Sequence, residues 1–274
     1  MSPPGRPKGE YRSAQHEGTP VTTLDFRDRV ALVTGAAGAI GSALCTELRR
    51  RGAAVVAADG AGGKPWTEAD LRTEPLVRLN VTDRSSVRGL VARTQAQLGP
   101  VDLLVNVAGV VSFGPAQTLA ELEWDRVMDI NLKGTFLACQ AVMPGMKQAG
   151  FGRIVNIGSV VGKNAGNARP WLDAAEQQRA GNVAYGVSKA GVHAMTGFLA
   201  KELAAHGVTV NAVAPGPVAT AMTSHFPDGL RALIPVGRMA TAADVVTAIL
   251  FLAGRNAGFI NGEVLDVNGG MWCD

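Results

Sequence analysis

Residues 30 to 41, Val-Ala-Leu-Val-Thr-Gly-Ala-Ala-Gly-Ala-Ile-Gly, constrain the fold more than any other stretch of the chain. The apolar run Val30 to Val33 breaks at Thr34 into glycines, and a helical pattern opens at once with Ile40, Ala43, Leu44 and Leu48. A short unbroken apolar run ending in glycine predicts a strand buried on both faces, as in a parallel sheet. Glycines at such a turn let the backbone approach a ligand with no Cβ in the way. The helix that follows aims its free N–H groups and positive dipole end at the same gap, which suits a pyrophosphate. A strand-to-helix turn without a ligand carries the same glycines, so the turn has to be read with its surroundings.

The next strand supplies them. Residues 53 to 58 (Ala-Ala-Val-Val-Ala-Ala) are a second buried strand, and Asp59 stands at its C-terminal end, 18 positions after Gly41. A dinucleotide fold puts at about this offset the carboxylate that accepts hydrogen bonds from the adenosine ribose.

The chain has 274 residues, enough for one α/β domain with a sizeable core. A formal charge of +3, scattered along the sequence, gives no footprint for nucleic acid. Cys45, Cys139 and Cys273 lack metal or redox spacing, and their odd number suits a reducing, cytoplasmic setting. No apolar run approaches the roughly 20 residues that span a membrane. Residues 1–23 are rich in Pro, Gly and charge and without periodicity, so they are expected to be a disordered tail ahead of a single domain at 24–274. They hold no hydrophobic region of a secretion signal.

Strand and helix patterns alternate through that domain. Gly60 to Pro65 reads as loop, Pro75 to Asn80 as a third strand, and Asp83 as the cap of a helix running towards Gln97. Val101 to Val105 is a fourth strand, and Leu122 to Met146 is a long helical stretch. Arg153 to Ile157 is a fifth strand ending at Gly158-Ser159, and Val183 to Ala205 a further helix. Val208 to Val213 is a sixth strand, stopped by Ala214-Pro-Gly-Pro217. A helix at Ala242 to Ala253 and a strand at Val264 to Val267 close the series. The alternation predicts a doubly wound parallel sheet of Rossmann type, with helices on both faces and ligands at the C-terminal strand ends.

The motifs along this frame resemble those of the short-chain dehydrogenase/reductase family, over roughly residues 25 to 270. They are Thr34-Gly35-(x)3-Ala39-Ile40-Gly41, Asn106-Val-Ala-Gly109, Asn131, Ile154-Val-Asn-Ile-Gly-Ser159, Tyr185-Gly-Val-Ser-Lys189 and Pro215-Gly216-Pro-Val-Ala-Thr220. Six motifs in the family's order make a specific match.

Tyr185 and Lys189 are four apart and share one helix face. A phenol at its ordinary pKa is a poor proton carrier at neutral pH, and a nearby ammonium lowers that pKa. Tyr185 is thus expected to take a proton from an alcohol as hydride leaves, and to return it in the reverse direction. Ser159, at a strand end, is placed to hydrogen-bond the substrate oxygen. The resemblance implies that Lys189 also holds the nicotinamide ribose and that Asn131 anchors a water in a proton relay.

It further implies that Gly35, Gly38, Ala39, Ile40 and Gly41 form the phosphate turn, and that Asn80 and Val81 cradle the adenine. Asn106, Ala108 and Gly109 lie along the adenosine side, Val218 and Thr220 hold the carboxamide, and Pro215 and Gly216 also belong to the cofactor site. Three departures stand out. Ala39 occupies the place of the family's middle glycine, so its methyl crowds the cofactor unless Gly38 absorbs the turn. Asn80 replaces a frequent Asp, though its amide oxygen can accept from an adenine amine. Val107 replaces the second Asn of Asn-Asn-Ala-Gly. His193 and His206 read as packing or surface residues, and His225 falls where the family closes over substrate.

The expected activity is that of an NAD-dependent alcohol dehydrogenase or ketone reductase acting on a small alcohol or ketone. An NADPH-dependent 3-oxoacyl or polyketide-type ketoreductase is the alternative enzyme, and a non-catalytic NAD-binding regulatory protein the alternative class. Asp59 with Gly60 beside it, and no Arg or Lys at 36–38, favours NAD over NADP. No metal, nucleic acid or membrane partner is expected, and a homo-oligomer is, a tetramer before a dimer. Ser159 and Tyr185 stand 26 positions apart, wider than the family's usual separation, so 163–181 is read as an insertion beside the substrate. Trp171 and Leu172 in it would serve as a lid or a subunit contact.

Overall fold

The computed structural model describes residues 25–166, 175–176, 182–220, 223 and 228–273. The expected tail and most of 163–181, Trp171 and Leu172 included, lie outside the described residues, as does His225.

The strands are β1 (Val30–Thr34), β2 (Ala54–Asp59), β3 (Lys64–Pro65), β4 (Val77–Arg78), β5 (Leu103–Asn106), β6 (Gly152–Ile157), β7 (Val208–Pro215) and β8 (Val264–Val267). They form one parallel sheet in the order β3-β4-β2-β1-β5-β6-β7-β8. The chain steps outward one way from β1 to β2 and the other way from β5 onward. The crevice outside the ends of β1 and β5 is therefore the switch point where such sheets bind ligands. Register lines these ends up: Thr34 pairs with Asn106, and Asn106 with Asn156.

Eight helices are described: α1 (Ala39–Arg50), α2 (Arg84–Leu98), α3 (Glu121–Met128), α4 (Gly134–Ala149), α5 (Val161–Asn164), α6 (Val183–Leu203), α7 (Asp228–Arg231) and α8 (Ala242–Ala253). Alternation along each strand divides the core into two. Leu32, Val56, Leu104, Ile154 and Val210 pack with Leu90 of α2, Met146 of α4 and Leu203 of α6. Val33, Ala57, Val105, Val155 and Val213 pack on the other face, with Leu44 and Leu48 of α1 and Ile249 of α8. Burial on both faces is why these strands read as unbroken apolar runs. Each fully buried Leu, such as Leu32 or Leu104, contributes about 1.5–3 kcal/mol over exposure.

Three elements differ from expectation. The strand expected over 75–80 is only Val77–Arg78, because the Asn80 side chain accepts from the Thr82 N–H at 3.0 Å and turns the chain away. Lys64–Pro65, expected as loop, pairs with β4 as the sheet edge, where proline's missing N–H costs no ladder bond. The helical stretch expected over 122–146 is interrupted between α3 and α4 by a π-helical turn, Asp129–Lys133, which carries Asn131. Helix starts are as expected: Asp83 accepts from the Ser85 N–H at 2.9 Å at the head of α2.

Candidate active site

The β1–α1 turn is built by close approach. Gly35 has φ +68°, and a Cβ there would lie 2.5 Å from the Ala108 nitrogen. A Cβ on Gly41 would overlap the Gly35 carbonyl oxygen. The turn thus lies flat on the segment after β5, with the N-terminus of α1 opening onto it. Gly38 has φ −71°, a conformation open to any residue, and Ala39 is exposed at the head of α1, beside half-buried Ile40. Asp59 spans the gap: its carboxylate accepts from the Ala37 N–H at 3.0 Å and from the Ala61 N–H at 3.0 Å. A carboxylate at the end of β2 is therefore tied to the glycine turn before any ligand arrives.

Asn80, Val81 and Asn106 are engaged within the fold itself. The Asn80 amide oxygen already accepts from both the Thr82 N–H and its hydroxyl, at 3.0 and 2.9 Å, which leaves the NH2 group as the part that can meet a base. Val81 is buried with its side chain against Gly134. Asn106 is 2% exposed and turned inward, donating to Asn156 Oδ1 at 2.9 Å and to Cys139 Sγ at 3.4 Å. Its side chain is part of a polar seam under the sheet, continued by Asn156 to Thr196 at 3.0 Å. The backbone of Ala108 and Gly109, and not the Asn106 side chain, forms the surface beside the turn.

Side chains from the π-helical turn and α6 meet next to Gly109, and Ser159 joins them from the end of β6. Asn131, fully buried in the π-helical turn, exchanges hydrogen bonds with the backbone of Val110: its Oδ1 accepts at 2.8 Å and its Nδ2 donates at 2.9 Å. Such turns widen a helix locally and gather at functional sites. The same Nδ2 donates to Ser188 Oγ at 3.0 Å, and Ser188 donates to the Tyr185 carbonyl at 2.7 Å, which ties Asn131 to α6. Lys189 is 4% exposed and donates from Nζ to the Ile157 carbonyl at 2.7 Å. A Cβ on Gly109 would lie 3.3 Å from Asn131 Oδ1 and 3.4 Å from Lys189 Nζ, so the missing side chain leaves room against both. Ser159, just past β6, hydrogen-bonds the phenol of Tyr185. A cradle that a Cβ would fill, a carboxylate at the end of β2 and a helix N-terminus between them fit a dinucleotide.

The electrostatics depart from the sequence expectation. Burial pushes the Tyr185 phenol up, and the hydrogen bond with Ser159 pulls it only partly back. Burial also lowers Lys189, to about 8. Burial therefore keeps the proton on the Tyr185 phenol, against the lowering expected from the sequence, while it loosens the proton on Lys189. The ammonium still lies 5.8 Å from the centroid of the Tyr185 ring.

On the far side of the cleft, Pro215 accepts from the Val160 N–H at 2.9 Å, and Gly216 packs against Asn268 with no space for a Cβ. Val218 is buried and bridges to Ala240, and the Thr220 N–H donates to Thr223 Oγ at 3.0 Å. Sequence reasoning did not single out Ser188, Asn156, Thr196 or Cys139 as parts of the site's support. For Ser188 the position next to Lys189 was a usable signal, whereas the others are visible only through packing. Cys139 is inert, with burial pushing its thiol up to about 12. Among the described residues no group of three or more His, Cys, Asp or Glu side chains is placed to hold a metal ion.

These features define a dinucleotide-dependent oxidoreductase fold, and the comparisons agree with that class. A family model described as enoyl-(acyl carrier protein) reductase matches residues 35–272. The chain belongs to the short-chain dehydrogenase/reductase family. It is 37% identical over 255 residues to the 3-oxoacyl-[acyl-carrier-protein] reductase FabG of Salmonella typhimurium, covering 91% of this chain and 99% of the relative. To the acetoacetyl-CoA reductase of Allochromatium vinosum it is 36% identical, covering 89% of this chain and 98% of the relative. The crystal structure of gox2181 superposes with a TM-score of 0.78 at 32% identity, over 90% of this chain and 97% of that one.

Proposed function

We propose that this protein transfers hydride between NAD and the carbon of a secondary alcohol or ketone, with Tyr185 as the general acid and base. The observation that carries the reading is that Lys189 and Asn131 meet beside Gly109, with Tyr185 on the same helix as Lys189 and paired with Ser159, on a sheet whose Asp59 carboxylate is bound to the glycine turn. Bound NAD supplies the hydride acceptor, held by the backbone of Gly35, Ala39, Ile40 and Gly41, by Asp59, and by Pro215, Gly216, Val218 and Thr220. Ser159 holds the substrate oxygen and sets the distance to the phenol. Tyr185, protonated at rest, donates its proton to the oxygen of a ketone; in the reverse direction it first releases that proton to solvent, favoured by positive charge nearby, and the phenolate then takes the proton of the alcohol. Lys189 supplies part of that charge, and Asn131 fixes the backbone of Val110 and the helix carrying Tyr185 through Ser188.

The names of the relatives favour a narrower version in which the ketone is the 3-oxo group of an acyl thioester, with NADPH as donor. Asp59 speaks against the NADPH part, since a 2′-phosphate would meet a carboxylate that already holds two N–H groups. We place the protein in the cytoplasm as a homotetramer, with 163–181 bordering the substrate. The two ends of the segment are anchored to the domain: Lys163 donates to Asp266 at 3.0 Å, and Asn182, just after it, bridges to Gly114. A panel of secondary alcohols, simple ketones and 3-oxoacyl thioesters, assayed with NAD(H) and NADP(H), tests the reading. Turnover of 3-oxoacyl thioesters with NADPH alone would replace it by the narrower version, and no turnover of any member would return the chain to the regulatory class.

A further inference from the structure

The N–H of Ser159 has no strand to bond. Beyond the end of β6, Gly158 donates to the Val213 carbonyl at 2.8 Å and Val160 to the Pro215 carbonyl at 2.9 Å, both on β7. Strand alternation then points the N–H of Ser159 the other way, towards the side where β5 has already ended at Asn106. A buried N–H left without an acceptor is costly. His193 fills that place: its Nε2 accepts from the Ser159 N–H at 3.3 Å.

The surroundings are shaped for this ring. A Cβ on Gly158 would overlap His193 Nε2, and one on Gly162 would lie 2.9 Å from its Cε1. Gly158, next to Ser159, thus leaves room for the imidazole at the strand end, and Gly162, three residues on, lets α6 and the same ring come close. The helix puts it there by period alone, since Tyr185, Lys189 and His193 follow each other at intervals of four along α6. One face of a single helix carries the phenol, the ammonium and the acceptor that holds the serine opposite them. Val192, its neighbour, is fully buried, so the register of this face cannot slip without unpacking the core.

We infer that His193 is a positioning residue: through its Nε2 it fixes the backbone of Ser159, and so sets the distance between the Ser159 hydroxyl and the Tyr185 phenol. The inference rests on the reading of Ser159 as the group that holds the substrate oxygen. Only an acceptor at the reach of Nε2 can serve. A glutamine places an amide oxygen at about that reach, an asparagine is too short, and a leucine fills space without accepting.

The experiment compares His193→Gln, His193→Asn and His193→Leu in the full-length protein by two measurements. The first is residue-resolved hydrogen–deuterium exchange of the Ser159 amide, with the amides of Gly158 and Val160 as internal references. The second is steady-state kinetics with NAD, alongside NAD affinity by fluorescence. The expected result is that Ser159 exchange rises about tenfold or more in the Asn and Leu variants and stays near wild type in Gln. In the same order, kcat should fall by about tenfold in Asn and Leu and be largely restored in Gln, with NAD affinity unchanged. A merely structural role would lower all three variants together and weaken NAD binding with them. Unchanged Ser159 exchange in the Asn and Leu variants overturns the inference, as does faster exchange with kcat within twofold of wild type. If the Leu variant does not fold, the contrast between Gln and Asn decides. A wild-type protein that turns over no alcohol or ketone would defeat the proposed function, and the exchange pattern would still report on His193, so the two failures are distinguishable.

Discussion

Lys189 and Tyr185 face each other across one turn of α6, the ammonium 5.8 Å from the centroid of the phenol ring and fastened to the Ile157 carbonyl at 2.7 Å. The lysine is held in place at a cost. Burial depresses it to about 8, so at neutral pH the fold carries a desolvated cation for the sake of the site.

Removing that cation should therefore separate stability from function. Because the folded-state value lies below the ordinary lysine value, the unfolded chain binds more protons between about pH 8 and the lysine range, and this group's contribution to stability rises with pH across that window. Lys189→Met is expected to raise the melting temperature at pH 7 by a few degrees while weakening NAD binding and lowering turnover at least about a hundredfold. Thermal denaturation at pH 7 and pH 9.5 checks it: the gain should shrink at the higher pH. A variant less stable at pH 7 than wild type would refute the assignment of burial as the dominant effect.

Asp59 sets the second expectation. Its carboxylate already bonds the Ala37 and Ala61 N–H groups, and the glycine turn offers no cation to a 2′-phosphate. Catalytic efficiency with NAD should exceed that with NADP by about tenfold or more, and Asp59→Ala should narrow the gap chiefly by losing NAD. Equal use of both cofactors by the wild-type enzyme would contradict this.

Much of the site was legible because its residues mark strand ends and helix faces, which sequence periodicity locates well. The first strand, the glycine turn, Asp59 and the pair on α6 need only local pattern, and they stand where expected. Asn106 misled because a side chain at a strand end can turn to either layer, and the partners that drew it inward, Asn156 and Cys139, are 50 and 33 residues away. The short β4 was hidden by an apolar run that looks like a longer strand until the Asn80 turn is considered. The reversal in the Tyr185 proton balance was out of reach for another reason: spacing announces the neighbouring ammonium, but only packing reveals how dry both groups are.

Gly41 gives a third test. A methyl there would overlap the Gly35 carbonyl oxygen and lie 2.8 Å from Ala36 Cα, and both partners are backbone that cannot swing aside. Gly41→Ala should cost about 1–3 kcal/mol and abolish measurable NAD binding, as followed by chemical denaturation and fluorescence titration. Retained affinity would mean that the turn does not form the phosphate site.

Assembly is a fourth. Leu137 and Val142 of α4 and Val192 and Leu199 of α6 are spent in the core, yet Phe136 and Phe198 remain 37% and 77% exposed. Two exposed phenylalanines on two long helices suit a contact with another copy of the chain. Light scattering should give a tetramer at micromolar concentration, and Phe198→Glu should lower the assembly state. A wild-type monomer would contradict the proposal.

The central claim is that Tyr185 carries the proton while the rest of the site holds cofactor and substrate, and Tyr185→Phe tests it most directly. The substitution keeps the buried ring on α6 and removes only the hydroxyl that hydrogen-bonds Ser159. Measured with NAD and the best substrate found, kcat should fall at least about a hundredfold while NAD affinity stays within a few-fold of wild type. Near-normal turnover in this variant would contradict the account.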